Sequence, residues 1–169
     1  DRFLNLLADA DYMATVLKDL STTGLTEGFL YPDTYRFSLE TTEEAVIETM
    51  VARFRQIFAE HLPDVSADRL KDILIMASIV EEEAQKAEER PLIAGVFYNR
   101  LKQGYPLQSC ATVQYALGTH KKRLLYKDLQ VDSPYNTYKH YGLPPGPITN
   151  PGLSSLLAAA NPAQVQFLY

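Results

Sequence analysis

The sequence predicts an α+β fold dominated by helices, with a small β element and one long loop rich in proline and glycine. Three observations support this fold class. Apolar residues recur at helical spacing along most of the chain, residues 24–38 favour extended structure, and residues 131–152 show no regular pattern. A chain of 169 residues, 46% of them hydrophobic, is long enough to bury a core as one domain.

The first helical segment and the β element lie near the start of the chain. Residues 1–20 carry apolar side chains at helical spacing, which predicts one or two short helices. Residues 24–38 differ, because they contain helix-breaking glycine and proline together with several aromatic residues. We interpret them as a strand or a hairpin-like segment.

Two longer helices are predicted next. A capping-box signature at residues 41–44 opens a helix that ends at about Leu62. Ser66 can cap the following helix, which is apolar on nearly every side over residues 73–80. An all-round apolar helix is typical of the centre of a fold, so we expect this helix to be buried.

The second half of the chain predicts three shorter helices. One starts at Pro91 and closes at Gly104, the next covers Ala111–Leu117, and the last covers about Leu153–Ala160. The irregular loop 131–152 separates the last two. Long loops without secondary structure are uncommon unless they are functional or disordered, and the aromatic residues and prolines of this loop argue against disorder.

Composition excludes several classes of function. A single cysteine, Cys110, rules out an intrachain disulfide and a zinc-finger-like cluster. The three histidines have no ligand spacing, so we expect neither a metal nor another cofactor. The net charge of -5 gives no reason to expect nucleic acid or anionic lipid as a partner, and no apolar stretch has the length of a membrane span.

Three consecutive carboxylates, Glu81, Glu82 and Glu83, follow the buried apolar helix near its last turn. Helix C-termini favour cations, so this placement opposes the helix dipole. Repulsion and desolvation would raise a carboxyl pKa there, as a general acid working near neutral pH requires. Successive helical residues point about 100° apart, so at most two can face inward. Composition does not decide which of the three glutamates face inward. The alternative interpretation, a solvated acidic turn, also stays open.

Two further places combine polar groups with apolar neighbours. Gln108 and Thr112 lie at a loop-to-helix junction, where capping by Ser109 is the simpler interpretation. The other place is the long loop, which contains Tyr135, Asn136 and Thr137. Together these residues supply an aromatic stacking face and hydrogen-bonding groups, as carbohydrate recognition requires. A rigid surface loop with a packed tyrosine is the alternative there.

These residues stand in motifs that resemble those of the YceG-like (MltG) family of endolytic murein transglycosylases. Residues 77–83, A-S-I-V-E-E-E, are similar to the family signature A-S-I-[VI]-E-x-E. Further blocks match in the same order over residues 27–169. They are E-G-F-L-Y-P-D-T-Y from Glu27, V-F-Y-N-R-L from Val96, L-Q at Leu107 and Gln108, Y-N-T-Y from Tyr135, G-L-P-P-G-P-I from Gly142, N-P-G from Asn150 and A-A-A-N-P from Ala158.

The resemblance implies a lysozyme-like catalytic domain that cleaves the MurNAc–GlcNAc β-1,4 bond within nascent peptidoglycan strands and leaves 1,6-anhydro-MurNAc ends. The second glutamate of the signature, the family's catalytic residue, maps to Glu83, which would act as a single acid/base. Glu81 maps to a supporting residue. Gln108, Thr112 and the loop residues 135–137 are then expected to contact sugars or to orient Glu83, and the long loop becomes an active-site loop.

The resemblance also implies a setting for the protein. Full-length family members have an N-terminal membrane helix and work at the extracytoplasmic face of the bacterial cytoplasmic membrane. Residues 1–169 are therefore expected to be a single soluble catalytic fragment, with residues 1–23 as linking helices from a missing N-terminal region and with a truncated C-terminal end. The expected partners are a peptidoglycan strand and cell-wall synthases, without nucleic acid, and the membrane only through the missing anchor.

Two alternative functions stay open. One is a hydrolytic muramidase, in which a second carboxylate such as Asp33 or Glu81 activates water. The other is a glycan-binding module without catalytic activity. Two positions depart from the family pattern, because Ala84 stands where members often have threonine and Cys110 where many have aspartate. Neither departure removes the catalytic carboxyl group.

Overall fold

The computed structural model describes residues 2–20 and 27–168, which form a helical fold around one core. The α-helices in these ranges are α1 (Arg2–Ala8), α2 (Ala10–Val16), α3 (Glu43–His61), α4 (Ala67–Glu83), α5 (Arg90–Lys102), α6 (Cys110–Leu117) and α7 (Leu153–Ala160). Short 3-10 helices cover Lys18–Leu20, Ala87–Glu89 and Asp128–Gln130. None of the helices described is long and apolar enough to cross a membrane.

The predicted α+β class is wrong, because residues 2–20 and 27–168 contain no β-strand. The expected β element partly lies outside the described residues, and residues 27–38 run without regular structure. Here a side chain replaces strand pairing, since the backbone N–H groups of Gly28 and Leu30 both donate to Asn150 Oδ1 at 3.0 Å. Phe29 is buried in the helical core. The strand prediction rested on the intrinsic β-propensity of the aromatic residues. In the fold Phe29 packs against helices instead, and this tertiary packing outweighs the propensity.

Helix α4 forms the centre of the core, as predicted. Every residue from 73 to 80 is buried, and the helix packs against α5, α6 and α7. Helix α3 contributes Phe54, whose ring packs edge-on against Phe29 at 5.2 Å between centroids. Because α4 is enclosed along most of its length, its last turn, which carries the three glutamates, is held in a fixed position.

The predicted helices are confirmed with small shifts at their ends. Thr42 is the N-cap of α3, and its Oγ1 accepts from Ala45 N at 3.3 Å. Pro91 lies in the first turn of α5, and Gly118 ends α6 in the left-handed conformation with φ of 63°. The loop 131–152 contains neither helix nor strand. These ends depend on local chemistry, namely caps, proline and glycine, which a sequence displays directly.

Candidate active site

Glu83, the last residue of α4, lies where two cavities meet. The first has a volume of about 420 Å³ and the second of about 530 Å³. Glu83 and Cys110 line both of them, so the two cavities form one groove with the Glu83 carboxyl between its halves. A group in this position can reach a bond in the middle of a bound chain.

The two halves of the groove differ in chemistry. The polar half presents carboxylate, amide, hydroxyl and imidazole groups from Glu82, Gln114, Tyr115, Thr119 and His120. The apolar half is lined mostly by Leu92, Ile93, Val96, Phe97, Leu107 and Phe167. Glu89, Arg100 and Gln108 add polar groups to that half. A ligand lying across Glu83 would therefore form hydrogen bonds with the polar half and apolar contacts with the other half.

One oxygen of the Glu83 carboxyl is held by its neighbours. Ser109 Oγ donates to Glu83 Oε1 at 2.6 Å, and Ala111 N lies 3.5 Å from the same oxygen. Glu83 Oε2 has no hydrogen-bond partner among the described residues. Ser109, which the sequence assigns only to capping, makes no side-chain capping bond and is buried. Its hydroxyl instead fixes the orientation of Glu83.

Buried threonines hold Ser109 in turn. Thr137 Oγ1 accepts from Ser109 N at 3.0 Å and lies 2.8 Å from Thr112 Oγ1. Thr112 Oγ1 donates to Ser109 O at 2.9 Å. Neither threonine is among the groove-lining residues, and both are almost fully buried. The structure therefore places Thr112 and Thr137 behind Ser109, where they can affect Glu83 only through it.

Gln108 lies at the surface of the apolar half, with an unusual backbone. Its φ of 53° is in the left-handed region, and it is the one residue other than glycine with positive φ in the described part of the chain. Such a conformation costs about 1–3 kcal/mol and persists where surrounding contacts impose it. Here Gln108 N donates to Thr137 O at 3.0 Å. The bend lets the exposed Gln108 line the groove while Ser109 turns inward.

Asn136 organises the loop and does not face the groove. Its side-chain amide donates to Leu129 O and Val131 O at 3.0 and 2.9 Å, and its Oδ1 accepts from Tyr138 N at 3.1 Å. It is fully buried. A buried amide with all these bonds made is a structural anchor, which holds the start of the loop against residues 129–131.

Tyr135 also supports the site from outside the lining residues. Its ring packs against Tyr115 at 4.7 Å between centroids, and Tyr115 lines the polar half of the groove. The Tyr115 hydroxyl donates to Glu27 Oε2 at 2.6 Å. Burial raises the pKa of Tyr115, and the bond to Glu27 raises it further, so this phenol stays protonated. Glu27 opens the block E-G-F-L-Y-P-D-T-Y, whereas Tyr115 lies in none of the motif blocks, so no sequence pattern pointed to it.

Tyr138 is a further residue near the carboxyl that was not predicted as a site residue. Its hydroxyl lies 3.2 Å from Cys110 Sγ. Burial raises the pKa of Tyr138, and contact with Cys110 and the charge of Glu83 raise it further. The repeated tyrosine of the Y-N-T-Y block was the available signal for it.

Glu81 has a different environment from Glu83. Arg90 Nη2 lies 3.1 Å from Glu81 Oε1, and Gly152 N donates to Oε2 at 3.0 Å. Burial by itself raises the pKa of Glu81, but the bonds from Gly152, Ser155 and Arg90 together hold it below its usual value. Glu81 lines neither half of the groove. It joins α4 to the starts of α5 and α7 as an ionised carboxylate.

The N-R pair of the V-F-Y-N-R-L block fastens the last described segment of the chain. Asn99 Nδ2 donates to Val165 O and Phe167 O at 2.7 and 3.0 Å, and Arg100 Nε donates to Leu168 O at 2.6 Å. Residues 163–168 can lie this close to α5 because residue 95 is glycine. A Cβ there would be 2.4 Å from Ala163 O. The pair thereby positions Phe167 as one wall of the apolar half.

The remaining carboxylate named by the sequence, Asp33, lies outside the groove lining. Its Oδ2 accepts from Arg53 Nε at 2.8 Å. The backbone N–H of Thr34 and then Arg53 hold the pKa of Asp33 below its usual value. Within residues 2–20 and 27–168, no cluster of three or more histidine, cysteine or acidic side chains is arranged to hold a metal ion.

The chain is similar to known proteins over most of its length. The model of the YceG-like family matches residues 2–169. An endolytic murein transglycosylase of Bacillus subtilis is 47% identical over 146 residues, which are 85% of this chain and 41% of that protein. An endolytic murein transglycosylase of Streptococcus pneumoniae is 38% identical over 150 residues, 85% of this chain and 27% of that protein. The chain thus spans less than half the length of either relative.

A solved structure has the same fold. The 2.6 Å crystal structure of a yceG-like protein from Listeria monocytogenes superposes with a TM-score of 0.90 at 40% sequence identity. The match covers 99% of this chain and 60% of that chain. Similarity of this extent concerns the whole arrangement of helices and loops, including those that surround Glu83.

Proposed function

Because the chain belongs to the YceG-like family, we propose that residues 1–169 form a catalytic domain that cleaves peptidoglycan as a lytic transglycosylase. The proposed reaction breaks the MurNAc–GlcNAc β-1,4 bond within a nascent strand and leaves a 1,6-anhydro-MurNAc end. The names of the two relatives support the reaction class. The observation that carries the proposal is the position of Glu83 between two halves of a groove, with one carboxyl oxygen held and the other available.

The reaction requires one carboxyl group in two successive roles. The protonated Glu83 donates its proton to the glycosidic oxygen while the bond from that oxygen to C1 of MurNAc breaks. The C6 hydroxyl of the same sugar attacks C1, and the Glu83 carboxylate takes the proton that this hydroxyl loses. The carboxyl group returns to its protonated state, and water is not consumed. Since Ser109 occupies Oε1, the proton is carried and received by Oε2.

A hydrolytic muramidase would need a second carboxylate to activate water or to act as nucleophile, at a separation of roughly 5–9.5 Å from the first. The two candidates from the sequence, Asp33 and Glu81, are bonded to Arg53 and Arg90 and line neither half of the groove. Glu82 and Glu89 line one half each. The two carboxylates named from the sequence thus lie outside the groove, but Glu82 and Glu89 lie in it, so the products decide between the two mechanisms.

Mass spectrometry of the cleavage products tests the proposal. Purified nascent glycan is incubated with the chain, and the expected products end in anhydro-MurNAc, lighter by one water molecule than a reducing end. Products with reducing ends would overturn the transglycosylase proposal in favour of a muramidase. If both the native chain and Glu83→Gln bind the glycan and neither cleaves it, the glycan-binding module is correct.

The proposed substrate implies where the protein works. Nascent strands are found at the extracytoplasmic face of the bacterial cytoplasmic membrane, which we propose as the site of action. The synthases that extend these strands are then the candidate protein partners. Co-purification of a full-length protein containing this chain with a synthase, from detergent-solubilised membranes, tests the partnership, and the absence of any synthase after mild cross-linking contradicts it.

A further inference from the structure

A basic loop, residues 120–127, follows α6 and differs in charge from the rest of the protein. It contains three lysines and one arginine and no acidic residue. The wider segment 119–141 has five basic and two acidic residues, a net charge of +3, while the whole chain carries -5. The overall charge predicts no affinity for anionic surfaces, but it averages over a region of the opposite sign.

The basic loop has a defined shape, which internal bonds impose. Lys121 Nζ donates to Asp128 Oδ1 at 2.5 Å, and Leu125 N donates to Asp128 Oδ2 at 2.8 Å. Lys121 N donates to Gln114 Oε1, which attaches the loop to α6. The charge of Lys121 is thus balanced by Asp128. By contrast, Lys122 and Arg123 are exposed and form no hydrogen bond or ion pair with the described residues.

The tip of the basic loop presents apolar surface between its charges. Leu125 is 50% exposed and Tyr126 is 90% exposed, and they lie between Arg123 and Lys127. Isolated exposed apolar residues are ordinary on protein surfaces. Adjacent exposed leucine and tyrosine, with the exposed cations Arg123 and Lys127 on either side, form a specific combination. This combination suits the interface of a lipid bilayer. There, aromatic and aliphatic side chains enter the headgroup region, and basic side chains contact the lipid phosphates.

We propose that the basic loop docks on an anionic lipid surface. Leu125 and Tyr126 enter the headgroup region, and Lys122, Arg123 and Lys127 contact lipid phosphates. A soluble polyanion would satisfy the cations but would leave the two apolar side chains in water, so the tip favours lipid. His120, the first residue of the loop, lines the polar half of the groove. Docking therefore brings that end of the groove close to the membrane surface.

Sedimentation with lipid vesicles tests the docking without reference to glycan cleavage. The vesicles are phosphatidylcholine alone, or phosphatidylcholine with about one third phosphatidylglycerol to supply a negative surface potential. We expect binding only to the anionic vesicles, and weaker binding when salt is raised from about 0.1 M to about 1 M, where charge interactions are screened within a few ångströms. Absence of binding to the anionic vesicles at low salt overturns the proposal.

Two sets of substitutions separate charge from apolar insertion. The triple variant Lys122→Ala, Arg123→Ala, Lys127→Ala is expected to lose about 100-fold in affinity, since each basic residue near an anionic surface contributes about fivefold. Removal of the same number of exposed cations elsewhere, by Arg36→Ala, Lys71→Ala, Lys102→Ala, is the matched control and should have a much smaller effect. An equal loss in both triple variants would mean that only net charge matters, and would overturn the assignment to this loop.

The double variant Leu125→Ser, Tyr126→Ser keeps every charge and is expected to lose about tenfold in affinity, because apolar area no longer leaves water. If this variant binds anionic vesicles as well as the native chain does, the loop recognises anionic charge alone, and a polyanion replaces lipid as the partner. Circular dichroism establishes that each variant is folded. Cleavage of soluble glycan is measured separately, so failure of docking and failure of the proposed reaction can be told apart.

Discussion

Glu81 and Glu83 are two residues apart on the same helix, yet their surroundings differ in almost every respect. Glu81 has both oxygens occupied, by Arg90 and by the backbone of Gly152. Glu83 has one oxygen bonded to a neutral serine and the other without a partner in the described structure. Glu81 lies at a junction of three helices, and Glu83 lies in a groove.

The difference shows how one acidic cluster can serve two purposes. A carboxylate paired with arginine and several N–H groups stays ionised, and its proton is unavailable for chemistry. A carboxyl group that neutral donors hold through one oxygen keeps its orientation and leaves its other oxygen open to the groove. The position of α4 decides between these states, because its rotation directs residue 81 to α5 and α7 and residue 83 to α6.

The largest effect is expected for Glu83→Gln, which keeps the size of the side chain but cannot exchange a proton. Loss of a general acid/base lowers the rate of glycan cleavage by about 10²–10⁴-fold. The rate is measured by chromatography of the released fragments. Glu88→Gln, an exposed glutamate that lines neither half of the groove, is the matched control and should cleave at nearly the native rate. Native activity in Glu83→Gln would remove Glu83 from the mechanism.

Glu81→Gln is expected to change stability more than chemistry. Arg90 would lose its charged partner in a half-buried position, which lowers the free energy of unfolding by about 1.5–3 kcal/mol. Urea denaturation followed by circular dichroism measures this difference. A variant that unfolds like the native chain but no longer cleaves glycan would show that Glu81 takes part in the chemistry and is not a structural carboxylate.

The contribution of Glu81 to the free energy of unfolding should also depend on pH and should decrease in acid. Its pKa in the folded protein lies below the ordinary value of 4.5, so the ionised form stabilises the fold. This contribution is complete above the unfolded-state pKa and is lost as the pH falls through the folded-state pKa. The difference in unfolding free energy between the native chain and Glu81→Gln should therefore be constant near neutral pH and shrink in acid below that ordinary value. A difference that grows in acid would contradict the assignment.

A smaller effect is expected for Ser109→Ala, which leaves Glu83 in place but removes the donor to Oε1. A hydrogen bond to a charged group contributes about 1.5 kcal/mol, so kcat should fall about tenfold with little change in KM. Ser154→Ala, on the exposed side of α7, is the control for loss of a hydroxyl group. If KM rises instead while kcat is unchanged, Ser109 contributes to substrate binding and does not position the carboxyl group.

The smallest effect is expected for Phe167→Ala in the wall of the apolar half. Phe167 is 62% exposed, so its loss disturbs packing little but removes a flat apolar face from the groove. We expect KM for glycan to rise about threefold to tenfold, a magnitude typical of one aromatic contact. Phe37→Ala provides a control, since Phe37 is exposed and lies outside both halves. Equal changes in the two variants would argue against a role for this wall.

Much of the fold could be predicted because it depends on short-range signals. The all-apolar run at 73–80 predicted a buried central helix, and caps, prolines and glycines located most helix ends. The motif blocks pointed to the YceG-like family, to which the chain belongs. The prediction of a β element was wrong. An extended aromatic segment has the same sequence pattern whether it pairs with another strand or, as in residues 27–38, forms hydrogen bonds with a distant asparagine.

The sequence by itself determined the helices and the burial of α4, because helical periodicity and capping act over a few residues. It also determined the family, because the motifs occur in a fixed order along the chain. Only the tertiary structure decided the surroundings of each glutamate. Ser109 reaches Glu83 across 26 positions in the chain, and Gly152 reaches Glu81 across 71. No local pattern encodes such pairs, because they form only when the packing of α4 against α5, α6 and α7 brings distant backbone and side chains together.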